Sequence, residues 1–327
     1  MIKFLITLDQ SNTRGEKMKL TKRHLILVLF PLLIAIIIYA GLAASIPKAG
    51  PLMKPVTTVR KDPNKKEKLH YIAIGDSLTE GVGDQTKQGG FVPLVANDLK
   101  DRYNLTAVET ENYGVNGERS DQILKRVKTK EEIRNNIKTA DFITLTVGGN
   151  DLMKVIQNNL FGLTVNSFKK PMKNYQENVT ELLEEFRSLN KTAPIYILGI
   201  YNPFYLNFPE ITDMQTIVNN WNKGTETVTK KMPNCYFIPI NDLLYQGLNQ
   251  EVGVTEEGTD QTTSTTENLN GIKNNVLYEE DHFHPNNLGY QLMANAVRDQ
   301  LIETQNQWLE KEDCLLYTSP SPRDRQK

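Results

Sequence analysis

Short apolar runs alternate with amphipathic stretches through the middle of the chain. Four runs are almost uninterrupted and the second is weaker; in chain order they cover 71–74, 106–110, 142–147, 195–198 and 236–240. Continuous apolar runs of this length are typical of strands buried on both faces, as in a parallel sheet covered by helices. The stretches between them are predicted to be helices, at 90–99, 120–127, 131–137, 175–189, 212–231 and 287–308. The alternation predicts an α/β fold, with one doubly wound domain from 69 to 308 and a parallel sheet of about five strands.

The segment 246–275 differs from the rest of this domain. It is rich in Thr, Glu, Gly, Asn and Gln and has little hydrophobic content. Such a composition cannot bury a core, so we expect a flexible surface insertion. It lies shortly before the candidate histidines described below, which leaves two interpretations open: a lid over the site, or a solvated loop without function.

A second kind of hydrophobic pattern occupies the N-terminus. Residues 25–44 form a 20-residue uncharged run, and a helix of that length spans about 30 Å, the thickness of a bilayer core. Lys and Arg side chains at 17, 19, 22 and 23 precede it, which predicts a cytoplasmic N-terminus, residues 1–24, and an extracellular catalytic domain. A cleaved signal peptide is the alternative, although its apolar core is usually about 7–15 residues. We expect an uncleaved transmembrane anchor, followed by a Pro- and Lys-rich linker over 45–68.

The two extreme ends are left out of the fold prediction. Residues 14–17, directly before Met18, are what a purine-rich ribosome-binding site would encode, so we expect 1–17 to lie upstream of the true start. Residues 313–327 break sharply from the helical pattern before them and look like translated adapter sequence, so we expect a non-native tail.

Composition excludes several function classes. The formal net charge is −1 and 24% of residues are charged, so nothing indicates a nucleic-acid partner. Two cysteines, Cys235 and Cys314, are too few for a disulfide framework. Candidate chemistry must therefore be sought at particular positions in the predicted sheet.

Those positions are the carboxyl ends of the strands, where open α/β sheets bind their ligands. The first strand ends in Gly-Asp-Ser-Leu at 75–78, where the glycine permits a sharp turn that leaves Ser77 at the sheet edge. The third candidate strand ends in Gly-Gly-Asn-Asp at 148–151, and the Asn150 amide can donate a hydrogen bond to a ligand. The second strand leads into 112–117, where Gly117 offers an unobstructed backbone N–H.

Two histidines near the C-terminus are the candidate bases. An Asp three residues before a His, as Asp281 is before His284, can hold the imidazole Nδ1–H and stabilise the imidazolium. His282 is the other candidate. A metal site built from Glu280, Asp281, His282 and His284 is the alternative that the residue types leave open.

These four blocks, in this order, resemble the SGNH hydrolase superfamily, also called the GDSL lipases and esterases. The resemblance covers 72–297 and places Ser77, Gly117, Asn150 and His284 at the four positions that name the superfamily. It implies a flavodoxin-like three-layer sandwich, catalysis without a metal or other cofactor, and His284 rather than His282 as the base. The most similar kind are membrane-anchored lipase/acylhydrolase-like proteins of Gram-positive bacteria.

The resemblance also implies a mechanism. Ser77 is the expected nucleophile, with Asp281 and His284 as its catalytic partners, and the expected oxyanion donors are the Ser77 and Gly117 N–H groups and the Asn150 amide. The loop after the fourth strand, with Tyr201, Asn202 and Phe204, is predicted to bind the acyl group.

The function expected from this is an extracytoplasmic serine esterase that acts on lipid or cell-wall acyl groups. Its expected partners are an acyl-ester substrate and, through the N-terminal helix, the membrane. Two alternatives remain: a surface binding or scaffold protein with an idle hydrolase fold, and a metal-dependent hydrolase that uses His282 and His284. The acyl-chain length and the oligomeric state are left open.

Overall fold

The computed structural model describes residues 63–158, 164–203, 213–245, 252–254 and 272–311, together with 33, 34 and 36. The chain divides into two compact units, Met1–Arg60 and Lys61–Lys327. In the first unit the three described residues are helical. The predicted cytoplasmic N-terminus 1–24, most of the predicted anchor 25–44 and linker 45–68, and the predicted tail 313–327 lie outside the described residues. Within the described part of the chain, no helix has the length and apolar character needed to cross a bilayer.

Five parallel strands form the central sheet of the second unit, in the order β2-β1-β3-β4-β5. Their bounds are Lys68–Gly75 (β1), Ala107–Gly114 (β2), Phe142–Thr146 (β3), Ile195–Leu198 (β4) and Cys235–Ile238 (β5). The predicted doubly wound α/β fold is confirmed. The chain runs from β1 outward to β2 and then returns past β1 to β3. The direction of winding therefore reverses between β1 and β3, the position at which flavodoxin-like sheets bind ligands.

Helices cover both faces of this sheet. Their bounds are Ser77–Glu80 (α1), Phe91–Arg102 (α2), Ser120–Thr129 (α3), Glu131–Thr139 (α4), Gly149–Asn158 (α5), Lys169–Leu189 (α6), Asp213–Thr229 (α7), Asn241–Tyr245 (α8) and Asn287–Glu303 (α9), with short 3₁₀ turns at Val165–Phe168 and Gln305–Gln307. Helices α3 to α7 bury their apolar residues against one face, and α2, α8 and α9 against the other.

The alternation of side chains along β1 shows why the apolar runs are continuous. Ile72 and Ile74 belong to one core, whereas Tyr71 and Ala73 belong to the core on the opposite face, and all four are fully buried. A strand with two buried faces has no position for a solvated polar side chain. The edge strand β2 is partly exposed along its length, which explains why its sequence signal is the weakest of the five.

The structure moves several predicted boundaries. Strand β2 continues to Gly114, because each of its residues pairs with one of β1; the sequence pattern ended it at 110. Helix α6 begins at Lys169, six residues before the predicted start at 175, and α9 ends at Glu303.

Two short strands lie within the predicted insertion 246–275. Val252–Val254 (β6) and Ile272–Asn274 (β7) pair as antiparallel strands. The remainder, 246–251 and 255–271, lies outside the described residues.

Residues just outside the predicted bounds 69 and 308 are joined by backbone hydrogen bonds. The N–H of Lys66 donates to the Leu309 carbonyl, and the N–H of Lys311 donates to that of Asn64. Trp308, fully buried, packs its ring 5.8 Å from that of Phe142. The residues that precede β1 are thereby fastened to those that follow α9.

Candidate active site

The turn from β1 into α1 holds the predicted nucleophile. Asp76 caps the helix, since its Oδ1 accepts hydrogen bonds from the Leu78 N–H (3.1 Å) and from Thr146 Oγ1 (2.7 Å). Ser77 follows as the first helical residue and is 6% exposed. Gly75 is required by the close approach of β3, because a Cβ there would lie 2.2 Å from Thr146 Oγ1 and 2.6 Å from the Thr146 carbonyl. The turn is therefore packed tightly beneath the serine.

Residues 278–285 form the loop that carries His284, called the base loop. This loop lies against the segment that follows α1. A Cβ on Gly83, which follows α1, would be 3.3 Å from the His284 Cβ and 2.5 Å from the Pro285 carbonyl. Burial raises the pKa of Asp76, while the hydrogen bonds from Thr146 and Leu78 and the nearby charge of His284 oppose that rise. No hydrogen bond joins the Ser77 hydroxyl to His284 in the described part of the chain, and such bonds in unliganded enzymes often tighten only when substrate binds.

Asp281 holds the His284 ring. Its Oδ2 lies 2.6 Å from His284 Nδ1, and its Oδ1 accepts from the N–H groups of Phe283 (2.9 Å) and His284 (3.0 Å). His282, between them, adopts φ +50°, which turns the loop back over the aspartate. Partial burial raises the pKa of Asp281, but the hydrogen bonds from His284 and Phe283 outweigh it, so the pKa lies below its usual value. Of the two histidines, it is therefore His284 that the carboxylate orients.

Two tyrosine hydroxyls hold the neighbouring loops, one bonding the base loop and the other bonding the segment that follows α1. The Tyr201 hydroxyl donates to the Phe283 carbonyl, and the Tyr290 hydroxyl donates to the Val82 carbonyl at 2.6 Å. The base loop is also closed on itself, since the Tyr278 N–H donates to the His284 carbonyl at 2.7 Å. The base loop is therefore held by the Tyr201 hydroxyl and by its own backbone hydrogen bond.

Asn150 lies in the first turn of α5 and faces the same cleft as Ser77. Its Nδ2 donates to the Glu118 carbonyl at 2.9 Å. An amide nitrogen carries two N–H groups, so one fixes the side chain and the other remains for a ligand. Gly117 precedes Glu118 and adopts φ +80°, and an added Cβ there would have no atom within 4 Å. Glycine is therefore favoured at 117 by the backbone conformation and not by lack of space. Gly117 is not among the described residues that line the cleft; it is linked to it through Glu118.

The cleft beside Ser77 has a mostly apolar wall. The lining residues are Asp76, Ser77, Leu78, Val147, Gly149, Asn150, Leu152, Met153, Gly199, Ile200, Tyr201, Pro203 and Phe283. Sequence reasoning found Tyr201 but missed Leu152, Met153 and Phe283. Phe283 could have been predicted as a lining residue, because it is an aromatic side chain between two histidines in an otherwise polar loop.

Asn202, predicted to bind the acyl group, does not face the cleft in the described part of the chain. It is buried and is not one of the described lining residues; its N–H donates to Asn241 Oδ1 (3.0 Å) and its Nδ2 to Gln215 Oε1 (3.2 Å). Those bonds connect the loop after β4 to α7 and α8. Phe204, also predicted, lies outside the described residues.

The four-residue metal site weighed from the sequence is not assembled. In the described part of the chain, no three His, Cys, Asp or Glu side chains are placed to share a metal ion. Glu280 faces Tyr278 instead, where its hydrogen bond raises the pKa of the phenol.

Comparison with known proteins assigns the chain to a family. Residues 73–292 match the model of the GDSL-like lipase/acylhydrolase family, and this span runs from β1 into α9. The chain belongs to that family. It is a carboxylic ester hydrolase with the fold of the GDSL enzymes.

Individual relatives of this GDSL hydrolase agree with the assignment. It is 32% identical over 255 residues to the uncharacterized protein YpmR of Bacillus subtilis, covering 75% of this chain and 90% of YpmR. It is 24% identical over 236 residues to the spore germination lipase LipC of Bacillus licheniformis, covering 70% of this chain and 95% of LipC. The crystal structure of the lipase Lip_vut3 from a goat rumen metagenome superposes with a TM-score of 0.55 at 23% identity, covering 71% of this chain and 96% of Lip_vut3. That structural likeness shows the shared fold.

Proposed function

We propose that this hydrolase cleaves carboxylic esters through an acyl-serine intermediate on Ser77. The observation that carries the proposal is the Asp281–His284 pair, joined at 2.6 Å, with His284 packed against Gly83 just after the short helix that begins at Ser77. His284 Nε2 takes the hydroxyl proton as Oγ attacks the ester carbonyl, and it then returns the proton to the departing alcohol. Water, activated by the same imidazole, hydrolyses the acyl-enzyme.

Three donors are assigned to the oxyanion of the tetrahedral intermediate. They are the Ser77 N–H, which as the first of a helix has no intrahelical partner, the Gly117 N–H and the second N–H of Asn150. A single such donor contributes about 2.7–4 kcal/mol to transition-state stabilisation. The Asn150–Glu118 hydrogen bond supports this assignment, because it leaves the amide oriented before substrate arrives.

The substrate proposed is an ester of a lipid or of an acylated cell-wall polymer. The apolar wall formed by Leu78, Leu152, Met153, Ile200 and Phe283 suits an acyl chain. The similarity to a protein named as a spore germination lipase supports a lipid ester.

We further propose that the hydrolase is membrane-anchored, with the catalytic domain outside the cell, in a Gram-positive bacterium. The length of the run at 25–44 and its basic flank support this, and both named relatives come from Bacillus. Protease added to intact protoplasts that express the full chain is expected to digest the catalytic domain and spare a cytoplasmic marker. Protection of both would place the active site inside the cell.

Labelling and hydrolysis together test the proposed reaction. A fluorophosphonate is expected to modify the peptide that contains Ser77, and the protein is expected to hydrolyse p-nitrophenyl esters. A series of acyl chains from two to sixteen carbons then reports on how well the apolar wall accepts each length. If the protein neither hydrolysed any of these esters nor reacted with the label, the result would support the alternative of a binding or scaffold protein with an idle hydrolase fold.

Chelation separates the serine mechanism from the metal-dependent alternative. EDTA is expected to leave the rate of ester hydrolysis unchanged, because His284 Nδ1 is engaged by Asp281 and no other acidic or histidine ligand set is gathered in the described residues. The measurement is kcat/KM before and after dialysis against EDTA. Loss of activity that zinc restores would support the site at His282 and His284.

A further inference from the structure

The carboxylate of Asp151 joins the starts of two helices. It lies in the first turn of α5, directly after Asn150, and both of its oxygens are engaged by Ser120, the first residue of α3. Oδ2 accepts from the Ser120 N–H at 2.9 Å and Oδ1 accepts from the Ser120 hydroxyl at 2.6 Å. Ser120 is fully buried, and its Oγ accepts in turn from Asn178 Nδ2 of α6 at 3.0 Å. One serine thus binds both oxygens of a single carboxylate.

This junction links the two segments that carry proposed oxyanion donors, the loop with Gly117 and the first turn of α5 with Asn150. Gly117 lies three residues before Ser120, and Asn150 lies one residue before Asp151. A second tie runs parallel to the first, since Asn150 Nδ2 donates to the Glu118 carbonyl. The two ties close a ring through the backbone of 118–120 and of 150–151. The Gly117 loop and the Asn150 amide therefore cannot shift relative to each other without breaking one of these hydrogen bonds.

The junction is placed to act on catalysis rather than on folding alone. Oxyanion donors stabilise the transition state only when they are held at the distance and direction that the oxyanion will need, and a displacement of about 1 Å can reduce the rate on the order of 10²-fold. Burial raises the pKa of Asp151, against which its hydrogen bonds with Ser120 act. The buried surroundings of Asp151 therefore disfavour its ionised form, and Asp151 directly follows Asn150, whose amide the proposed mechanism requires.

We propose that Asp151 is a positioning residue of the oxyanion hole, which through Ser120 fixes the spacing between the Gly117 N–H and the Asn150 amide. The inference rests on the proposed function of the site. Asp151 does not line the cleft beside Ser77, so it acts through Asn150 and the Gly117 loop and does not contact the substrate.

The test is a double-mutant cycle between Asp151→Asn and Asn150→Ala. Asp151→Asn preserves shape but replaces one acceptor oxygen with an NH₂ group, which cannot accept from Ser120. We expect kcat to fall about 10- to 100-fold, with KM within about twofold and an unchanged far-UV spectrum. In the Asn150→Ala background the same substitution is expected to change kcat less than about threefold, because the donor it positions is already gone. Ser120→Ala, which removes only the hydroxyl bond, is the second variant and is expected to show the same non-additivity with a smaller loss.

Asp121→Asn is the matched control. It removes the same charge from the first turn of α3, where Asp121 pairs with Arg119 at 3.0 Å and makes no hydrogen bond to α5 within the described residues. We expect its kcat to stay within about twofold of the wild type, since such surface pairs contribute little.

The outcomes separate the inference from the function on which it rests. Equal losses from Asp151→Asn and Ser120→Ala with and without the Asn150 amide would overturn the positioning role, as would a wild-type kcat in both variants. If Asn150→Ala alone retained the wild-type kcat while Ser77→Ala were inactive, the oxyanion assignment would fail and the serine mechanism would stand. If Ser77→Ala were fully active, the proposed function itself would fail.

Discussion

Ser77→Ala is expected to lower kcat for ester hydrolysis by about 10³- to 10⁴-fold and to abolish fluorophosphonate labelling. The substitution removes only Oγ, which makes no hydrogen bond within the described residues, from a turn that is held by Asp76, Thr146 and Gly75. The midpoint of thermal unfolding should therefore stay close to that of the wild type. The measurements are kcat with a p-nitrophenyl ester and the melting temperature of both proteins.

Ser188→Ala supplies the control for this change. Ser188 is an exposed serine near the end of α6, and its hydroxyl donates to the Glu185 carbonyl within the same helix. Its activity and labelling should match the wild type. Persistent labelling of Ser77→Ala, or hydrolysis at more than a tenth of the wild-type rate, would show that another residue is the nucleophile.

The second large effect is expected at Asp281. Replacing it by Asn keeps the shape of the loop but can present an NH₂ group to His284 Nδ1, which forces the proton onto Nε2 and prevents it from accepting the Ser77 proton. The loss in kcat can approach the roughly 10⁴-fold reported for the equivalent change in a trypsin-type triad. The measurement is kcat/KM for the purified variant against the wild type.

The lowered pKa of Asp281 gives this variant a pH signature. The wild-type carboxylate remains ionised at every pH above its depressed pKa, so the deficit in activity should be constant across the neutral and alkaline range. An acid with a depressed folded-state pKa contributes stability that is present above the unfolded pKa, about 4, and is lost as the pH falls through the folded value. The stability difference between wild type and Asp281→Asn should therefore shrink in acid.

Glu280→Gln is the neighbouring control. Glu280 is also acidic and exposed, but it faces Tyr278 rather than His284. The variant is expected to retain most of the wild-type kcat/KM. If Glu280→Gln were the more damaging of the two, Asp281 would not be the partner of the base.

The local pattern of the chain determined the fold class and the location of the chemistry. Nearly continuous apolar runs such as 142–147 and 195–198 are typical of strands that are buried on both faces. This indicates a parallel sheet between two layers of helices. Because parallel strands share one carboxyl edge, the residues that follow β1 and β3 had to lie near each other, and the structure places Ser77 and Asn150 in one cleft. This much depends on side-chain periodicity and chain direction, which are properties of neighbours in sequence.

The tertiary structure decided what depends on partners distant in the chain. The polar segment through Gly114 is a strand because β1 pairs with it, and its own composition does not show this. Asn202 follows the fourth strand in sequence, but its backbone N–H and its side-chain amide donate to Asn241 and Gln215, partners that the sequence does not indicate. The spacing of Asp281 and His284 indicated the pair, but the 2.6 Å contact between Asp281 Oδ2 and His284 Nδ1 depends on the conformation of the loop, in which His282 adopts a positive φ. Hydrogen-bond partners separated by tens of residues, as Ser120 and Asp151 are, leave no periodic trace, because their pairing is set by the packing of whole helices.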